Sequence, residues 1–211
     1  MAKIRDFKVD DVRFPTSIDS TGSDAIHTDP DYSATYVTIY TDDEKLTGYG
    51  LAFTIGKGND IVAECIKYYF PIFLNMSLED LENDIGKLWY KCVDHSQLRW
   101  LGPEKGVVHM AVAAILNALW DLISKNNKKP LWQFIVESKP ETIVNWLTFK
   151  YIEDALSPDE ALDILKKSHD KKEKRIQTIL KEGYPSYTTA AGWLGYSDNK
   201  VVELCEHYMS M

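Results

Sequence analysis

The polar loop between residues 16 and 33 carries the densest group of side chains that could do chemistry. His27 lies there within four residues of Asp24, Asp29 and Asp31. An imidazole and neighbouring carboxylates can bind a metal ion or the hydroxyl groups of a ligand. Loops of this composition are also common as plain solvated connections. On the residues alone, both interpretations stay open.

Two other groupings are weaker. Gly56-Lys57-Gly58 precedes a predicted helix and could offer backbone amides to an anion, but it lacks the spacing of a phosphate-binding loop, so a glycine turn is favoured.

Cys92 and His95 have the spacing of half a zinc site, and the sequence offers no second pair of ligands nearby. Ordinary buried thiols, including Cys65 and Cys205, are the favoured interpretation, which is typical of a reducing intracellular compartment. No serine, histidine and acid have the spacing of a catalytic triad, so no catalytic residue is predicted.

A small sheet must position these residues. Apolar side chains partly alternate over residues 4–14, which predicts a strand. Two β-branched and aromatic runs at 36–40 and 47–54 flank a polar turn and predict an antiparallel hairpin. Three such strands have too little apolar surface to be stable alone, so helices must cover the sheet.

The predicted helices follow the hairpin. One spans 61–73 after a cap at Asn59 or Asp60, with Pro71 bending or ending it, and the next spans 78–93 after Ser77. The clearest periodicity is the i, i+3, i+4, i+7 apolar spacing over 107–122, which places one stripe on the sheet. Its small alanines permit close approach.

The second half of the chain is less regular. A short helix is predicted at 131–136, a capping box starts another at Ser157, and a further capped helix spans 198–209. The charged run 166–175 favours a solvated helix-loop-helix rather than a nucleic-acid site. Residues 184–191 predict an extended strand.

The overall charge excludes some functions. The chain has 24 Lys and Arg against 32 Asp and Glu, a net charge of −8. Proteins that bind the phosphate backbone need a basic surface, so nucleic acid is not a predicted partner. No apolar run approaches the roughly 20 residues that span a bilayer, so no membrane is predicted either.

Several motifs together resemble one family. They lie before and after the polar loop, around the long helix and near the end of the chain: DVRFPTS (11–17), DPDYS (29–33), QLRWLGPEKGV (97–107), ALWD (118–121), GYP (183–185) and GWLGYSD (192–198). In these motifs the chain is similar to the N-terminal portion of the L-fuconate dehydratase family, in the mandelate racemase subgroup of the enolase superfamily. The resemblance covers nearly the whole chain.

The resemblance implies a division of labour. An N-terminal α+β cap selects the substrate, and a following barrel holds Mg²⁺ and performs acid-base chemistry. In the family, a lysine removes the proton beside the carboxylate of L-fuconate, the metal stabilises the enediolate, and a protonated histidine helps the β-hydroxyl leave. The product is 2-keto-3-deoxy-L-fuconate.

The same resemblance implies a substrate-binding loop. The positions that match the family's loop are Gly22, Ser23, Asp24 and Tyr32. Asp24 would accept hydroxyl hydrogen bonds, the Tyr32 phenol would donate or accept them, and Gly22 would let the backbone come close. A hydrophobic anchor beside the hairpin is the alternative for Tyr32. Lys57 and Trp193 are weaker candidates.

The expected fold class is α+β. Residues 1–136 form an enolase-superfamily N-terminal capping domain, with a three-stranded antiparallel sheet plus helices. Residues 137–183 form a helical connecting segment, and residues 184–211 form the first strand and helix of an incomplete TIM-type barrel. A smaller departure from the family is Lys128, where glycine is common, so Asn127 or Lys128 must supply the helix-ending turn at a cost in strain.

The barrel residues define what this chain is expected to lack. A complete barrel takes ~250 residues, and the family's metal carboxylates, lysines and histidine lie beyond Met211. The chain is therefore expected to bind no metal and to be inactive alone, as a truncated or alternatively spliced form. The alternatives are a noncatalytic regulatory or interaction protein that keeps the cap fold, and the cap of another acid-sugar dehydratase or epimerase. A homo-oligomer is compatible with the full-length family, and the expected location is intracellular, either mitochondrial or cytosolic.

Overall fold

The structure is a computed structural model, and it describes residues 2–102 and 105–211. Met1, the first residue of the predicted cap, and Pro103 and Glu104, within the QLRWLGPEKGV motif, lie outside the described residues. Within the described ranges the strands are β1 (Ile4–Arg13), β2 (Ser33–Thr41) and β3 (Thr47–Thr54). The α-helices there are α1 (Asn59–Tyr69), α2 (Leu78–Val93), α3 (Val107–Asn126), α4 (Leu131–Glu137), α5 (Pro140–Trp146), α6 (Pro158–Ser168), α7 (Lys172–Glu182) and α8 (Asp198–Met209).

The three strands form one antiparallel sheet in the order β1-β2-β3. Val37 of β2 pairs with Val9 of β1 and with Gly50 of β3. On β2 the inward side chains Val37 and Ile39 are buried, whereas Tyr36 and Tyr40 face outward and are exposed. This alternation is that of a sheet covered on one face. The predicted strand, hairpin and fold class are confirmed.

The long helix α3 covers the inner face of the sheet at very short range. A Cβ added to Gly50 would lie 2.2 Å from the Ala114 carbonyl oxygen, and one added to Gly48 would lie 2.4 Å from that of Ala118. Any larger residue on this part of β3 would collide with helix backbone. The predicted apolar stripe is confirmed, because Ala111, Ala114, Ile115, Ala118, Leu119 and Leu122 are fully buried.

Helix α3 also contradicts the expectation that no apolar segment is long enough to span a bilayer. It is 20 residues long, and its most apolar 18-residue window has a mean hydropathy of 1.7, so by length and composition it could cross a bilayer. The prediction that no apolar run reaches that length is therefore wrong. In the structure 61% of that window is buried inside the protein, against β2, β3, α1 and α2. These are the properties of a core helix.

The start of α1 differs from the prediction. The N-cap is Gly58, with φ of 90°, and not Asn59 or Asp60. Asn59 is the first helical residue, and its fully buried amide is bonded to other groups of the interior, so it is not available to cap. The predicted effect of Pro71 is confirmed, since α1 ends at Tyr69 and the chain continues as a 3₁₀ turn, Phe70–Phe73.

Two predicted caps are confirmed in detail. Ser77 accepts a hydrogen bond from the backbone N–H of Asp80 at the start of α2. At α6, Ser157 and Glu160 form the reciprocal capping box. After α3 the left-handed residue is Lys128, with φ of 53°, while Asn127 stays right-handed.

The second half contains one helix that was not located within the predicted helical connecting segment, and one strand that was predicted wrongly. Helix α5 was missed because its seven residues are too short for a clear period. It is held from outside, since the Trp146 indole donates to the Glu82 carbonyl oxygen at 2.7 Å. Residues 184–191 do not form the predicted strand. A strand needs a hydrogen-bonded neighbour, and no described strand lies beside them. The helix-loop-helix of α6 and α7 and the capped helix α8 are confirmed.

Candidate functional site

The cap loop, residues 14–32 between β1 and β2, is closed by hydrogen bonds between its two ends. The Thr16 hydroxyl donates to the Pro30 carbonyl oxygen at 2.8 Å and accepts from the Tyr32 backbone N–H at 2.9 Å. Asp31 Oδ1 accepts from both the hydroxyl and the backbone N–H of Ser17, at 2.7 and 3.1 Å. These donors hold the pKa of the Asp31 carboxyl below its usual range. The loop is thus a compact unit of the kind that often carries function.

Three of the four predicted binding residues meet at the centre of this loop. The Tyr32 phenol donates to the Gly22 carbonyl oxygen at 3.0 Å. Gly22 has φ of 79°, and a Cβ there would lie 2.3 Å from the Tyr32 ring, so only glycine fits. Ser23 is fully buried, and its hydroxyl donates to the Ser20 carbonyl oxygen. These contacts show how Gly22, Ser23 and Tyr32 build the loop, and they leave the phenol oxygen of Tyr32 able to accept a further bond.

Both roles considered for Tyr32 are compatible with its surroundings. Its ring lies edge-on to Phe53 of β3, with centroids 5.3 Å apart. The ring therefore anchors the loop to the sheet while its hydroxyl bonds to the loop backbone. Phe53 itself is exposed, so an apolar surface adjoins the polar loop.

Asp24, the fourth predicted residue, lies at the exposed tip of the loop. Its Oδ1 accepts from the backbone N–H groups of Ile26 and His27, both at 2.7 Å. Its Oδ2 lies 3.3 Å from His27 Nδ1. The two backbone donors, His27 first, lower the pKa of Asp24, so the group is ionised at neutral pH.

The two weaker candidates, Trp193 and Lys57, lie in different surroundings. Trp193 lies at the loop, with its ring edge-on to Tyr32 at 6.5 Å, and the neighbouring Leu194 N–H donates to the Ser23 carbonyl oxygen at 3.0 Å. Lys57 lines an apolar groove of about 450 Å³ that it shares with residues including Ile61, Met110 and Phe53, the residue that packs against Tyr32. The structure therefore brings Trp193 into contact with a predicted binding residue and places Lys57 at the groove next to Phe53.

A polar network around the buried Asn59 was missed by the sequence analysis. Asn59 Nδ2 donates to Asp11 Oδ1 at 2.8 Å, and Asn59 Oδ1 accepts from the Thr54 hydroxyl. Asp11 also accepts from Arg13, which lowers the pKa of that carboxyl. The network joins β1, β3 and α1 at the edge where the cap loop begins. An asparagine just before a helix gave a misleading signal, because capping is its commonest role there.

The cysteine and histidine groupings do not form a metal site. Cys92 is fully buried, and burial raises the pKa of its thiol to about 12, so it is protonated and a poor ligand. Cys205 is exposed, which corrects the expectation of a buried thiol there. Across residues 2–102 and 105–211, no three His, Cys, Asp or Glu side chains cluster closely enough to hold a metal ion. The described residues therefore do not fit a resident Mg²⁺.

Comparisons with known proteins give the family. Residues 21–135 match the N-terminal domain of the mandelate racemase and muconate lactonizing enzyme family. The chain is 46% identical over 204 residues to human mitochondrial enolase superfamily member 1, covering 96% of this chain and 46% of the relative. It is also 46% identical over 202 residues to L-galactonate dehydratase of Hypocrea jecorina, covering 95% of this chain and 45% of that protein.

Solved structures agree with this result. The crystal structure of the human mitochondrial enolase superfamily member 1 superposes with a TM-score of 0.94 at 45% identity, covering 99% of this chain and 48% of that one. An enolase from Bradyrhizobium, complexed with magnesium and mandelic acid, shares the fold at 19% identity and a TM-score of 0.50, over 64% of this chain and 34% of that one. The chain spans about half the length of the curated relatives that it matches. It belongs to the enolase superfamily, with the N-terminal capping domain of the mandelate racemase and muconate lactonizing enzyme family.

Proposed function

We propose that this chain is the substrate-capping part of a sugar-acid dehydratase whose substrate is L-fuconate. The observation that carries the proposal is the 46% identity to an L-galactonate dehydratase over 95% of the chain. L-Fuconate is 6-deoxy-L-galactonate, so the two acids differ only in one terminal hydroxyl. A cap that selects one of them needs few changes to select the other.

The geometry of the cap loop supports a binding role. Its polar groups are already ordered by internal hydrogen bonds, so little conformational entropy is lost when a ligand binds. At its centre the loop offers the phenol oxygen of Tyr32, held by Gly22 beside the buried Ser23, and at its tip the carboxylate of Asp24. We assign these four residues to the substrate site, with Trp193 beside them.

The contribution of this chain to dehydration is binding, orientation and exclusion of water. In the family, Mg²⁺ supplies the charge that stabilises the enediolate. The described residues hold no cluster that fits that ion, and the family's lysine base is assigned to none of them, so no chemical step is attributed to this chain. We therefore propose that the chain alone is inactive.

A hybrid protein tests this proposal. This chain is joined to the remaining C-terminal part of human mitochondrial enolase superfamily member 1 and incubated with Mg²⁺ and L-fuconate or L-galactonate. Formation of the 2-keto-3-deoxy acid is expected from the hybrid and not from this chain alone. A folded hybrid that turns over neither acid contradicts the substrate assignment, and turnover by the chain alone contradicts its inactivity.

The hybrid and this chain alone also distinguish the proposed function from its two alternatives, the cap of another enzyme and a noncatalytic regulator. Turnover of a different acid sugar by the hybrid would identify the cap of another dehydratase or epimerase. A noncatalytic regulator would instead co-purify with an intact relative and change its rate. A homo-oligomer would appear in light scattering of the purified chain.

The names of the vertebrate relatives support a mitochondrial location for this chain over a cytosolic one, and cell fractionation tests this location.

A further inference from the structure

The tip of the cap loop is a turn that closes on itself between Asp24 and His27. The Asp24 backbone N–H donates to the His27 carbonyl oxygen at 2.8 Å, and the His27 backbone N–H donates back to Asp24 Oδ1 at 2.7 Å. The Ile26 N–H donates to the same oxygen. The side chains then meet again through Asp24 Oδ2 and His27 Nδ1, 3.3 Å apart. Four contacts within four residues fix where the imidazole lies.

The contact with Asp24 also fixes where the imidazole carries its proton. An ionised carboxylate can only accept a hydrogen bond, so the neutral imidazole holds its proton on Nδ1. Asp24 is ionised because the backbone N–H groups of His27 and Ile26 lower its pKa. The other ring nitrogen, Nε2, then carries a free lone pair, and it makes no hydrogen bond to any residue in the described part of the chain. The His27 side chain is 53% exposed, so that lone pair is accessible.

The turn rests on a rigid base. Ser23, immediately before it, is buried, and its hydroxyl donates to the Ser20 carbonyl oxygen. Gly22, one residue earlier, is held by the Tyr32 hydroxyl. Because the residues below the turn are anchored on two sides, His27 is presented in one place rather than on a loose loop.

Asp24 itself has little capacity left for a ligand. Oδ1 accepts two backbone N–H groups and Oδ2 faces the imidazole, whereas Nε2 of His27 is unoccupied. We propose that His27 is the substrate-binding residue at the tip of the loop, accepting a hydrogen bond from a hydroxyl group of the sugar acid through Nε2. Asp24 then acts in the substrate site as the positioning residue of His27 and does not contact the ligand directly. This inference rests on the proposed sugar-acid binding and names the atom that would make the contact.

Three variants of the full chain test it. His27→Ala removes the acceptor. Asp24→Asn keeps the oxygen that accepts the Ile26 and His27 N–H groups, but places an amide donor opposite Nδ1, which moves the imidazole proton to Nε2 and turns the acceptor into a donor. Asp29→Asn is the matched control, because Asp29 is an exposed carboxylate on the same loop with no hydrogen bond or ion pair to a described residue.

Two measurements are made. Nitrogen-15 NMR of the His27 imidazole, in the wild type and in the two aspartate variants, reports which ring nitrogen carries the proton. Ligand-observed NMR of the wild type and all three variants gives the dissociation constants of L-fuconate and L-galactonate. The wild-type proton is expected on Nδ1. His27→Ala is expected to weaken binding about 5-fold to 10-fold, the effect of losing one hydrogen bond, while Asp29→Asn stays within about 2-fold of wild type. In Asp24→Asn the imidazole proton is expected on Nε2. Unchanged amide spectra away from the turn show that each variant is folded.

The outcomes separate this inference from the proposed function. If the wild-type chain binds a sugar acid and His27→Ala binds it equally well, the role of His27 is refuted while the cap function stands. A wild-type proton on Nε2 refutes the acceptor role, and an imidazole proton that stays on Nδ1 in Asp24→Asn refutes the positioning role. If the wild-type chain binds neither acid at millimolar concentration, sugar-acid binding by the cap and the role of His27 fall together.

Discussion

Helix α3 and the C-terminal segment, residues 184–211, are held to the rest of the molecule in opposite ways. In the former, Ile115, Ala118 and Leu119 are fully buried and the helix backbone touches the glycines of β3. In the latter no residue is buried. Its contacts with the cap loop include the Leu194–Ser23 hydrogen bond, the Trp193–Tyr32 ring contact and the close approach of Gly195 to Ser20.

This difference separates what stabilises the protein from what completes the candidate site. Burial of apolar surface is the main stabilising term in folding, so the α3 interface carries the stability of the fold. The segment that brings Trp193 to the loop contributes little burial. Regions with few buried contacts open locally at low free energy. The cap fold can therefore persist while Trp193 leaves the site.

Hydrogen exchange gives the largest expected contrast between the two regions. Amides in the middle of α3 are expected to exchange only through global unfolding, at a cost of about 5 kcal/mol or more. Amides of α8, within residues 184–211, are expected to exchange through local opening, orders of magnitude faster. Mass spectrometry after timed exchange measures both. Equal protection in α8 and α3 would break the comparison.

Glycine substitutions test the same comparison between the α3–sheet packing and residues 184–211. Gly50→Val places its Cβ only 2.2 Å from the Ala114 carbonyl oxygen and 2.6 Å from the Ala118 backbone nitrogen, and backbone cannot move aside cheaply. We expect a loss of about 4 kcal/mol in the free energy of unfolding. Gly192→Ala is the control, since nothing lies within 4 Å of its Cβ, and a change within about 0.5 kcal/mol is expected. Urea denaturation followed by circular dichroism measures both, and a tolerated valine at position 50 would contradict the close approach.

The smallest expected effect concerns acid stability of the cap loop. Donation by Ser17 lowers the pKa of Asp31 in the folded protein, so this carboxylate stabilises the fold above its unfolded pKa, near 4. That stabilisation is lost as the pH falls through the lower folded pKa. Asp31→Asn removes the charge and is expected to make the unfolding free energy fall less steeply as the pH drops below about 4. An unchanged slope in Asp31→Asn would show that the Ser17 contacts do not stabilise the ionised form.

Local features were predictable from the sequence because they depend on residues within one or two turns. The Ser77 cap, the Ser157 capping box and the apolar period of α3 were all confirmed. Predictions failed where a distant partner decided the outcome. Asn59 bonds to Asp11 and Thr54 instead of capping α1, and α5 depends on a contact with Glu82.

The candidate site shows the same division. The motifs identified the superfamily and directed attention to Gly22, Ser23, Asp24 and Tyr32, whose part in substrate binding stays a prediction. They gave no sign that Asp24 is engaged with His27, since a carboxylate three residues from a histidine is common on solvated loops.

The sequence by itself determined the fold class, the α3 stripe and the principal helix starts, because side-chain periodicity and capping act over a few residues. The tertiary structure alone decided that Trp193 meets Tyr32, that Asn59 turns inward and that residues 184–191 form no strand. These outcomes depend on which groups the folded chain brings within hydrogen-bonding or van der Waals distance, and residues far apart in sequence carry no local signal of that.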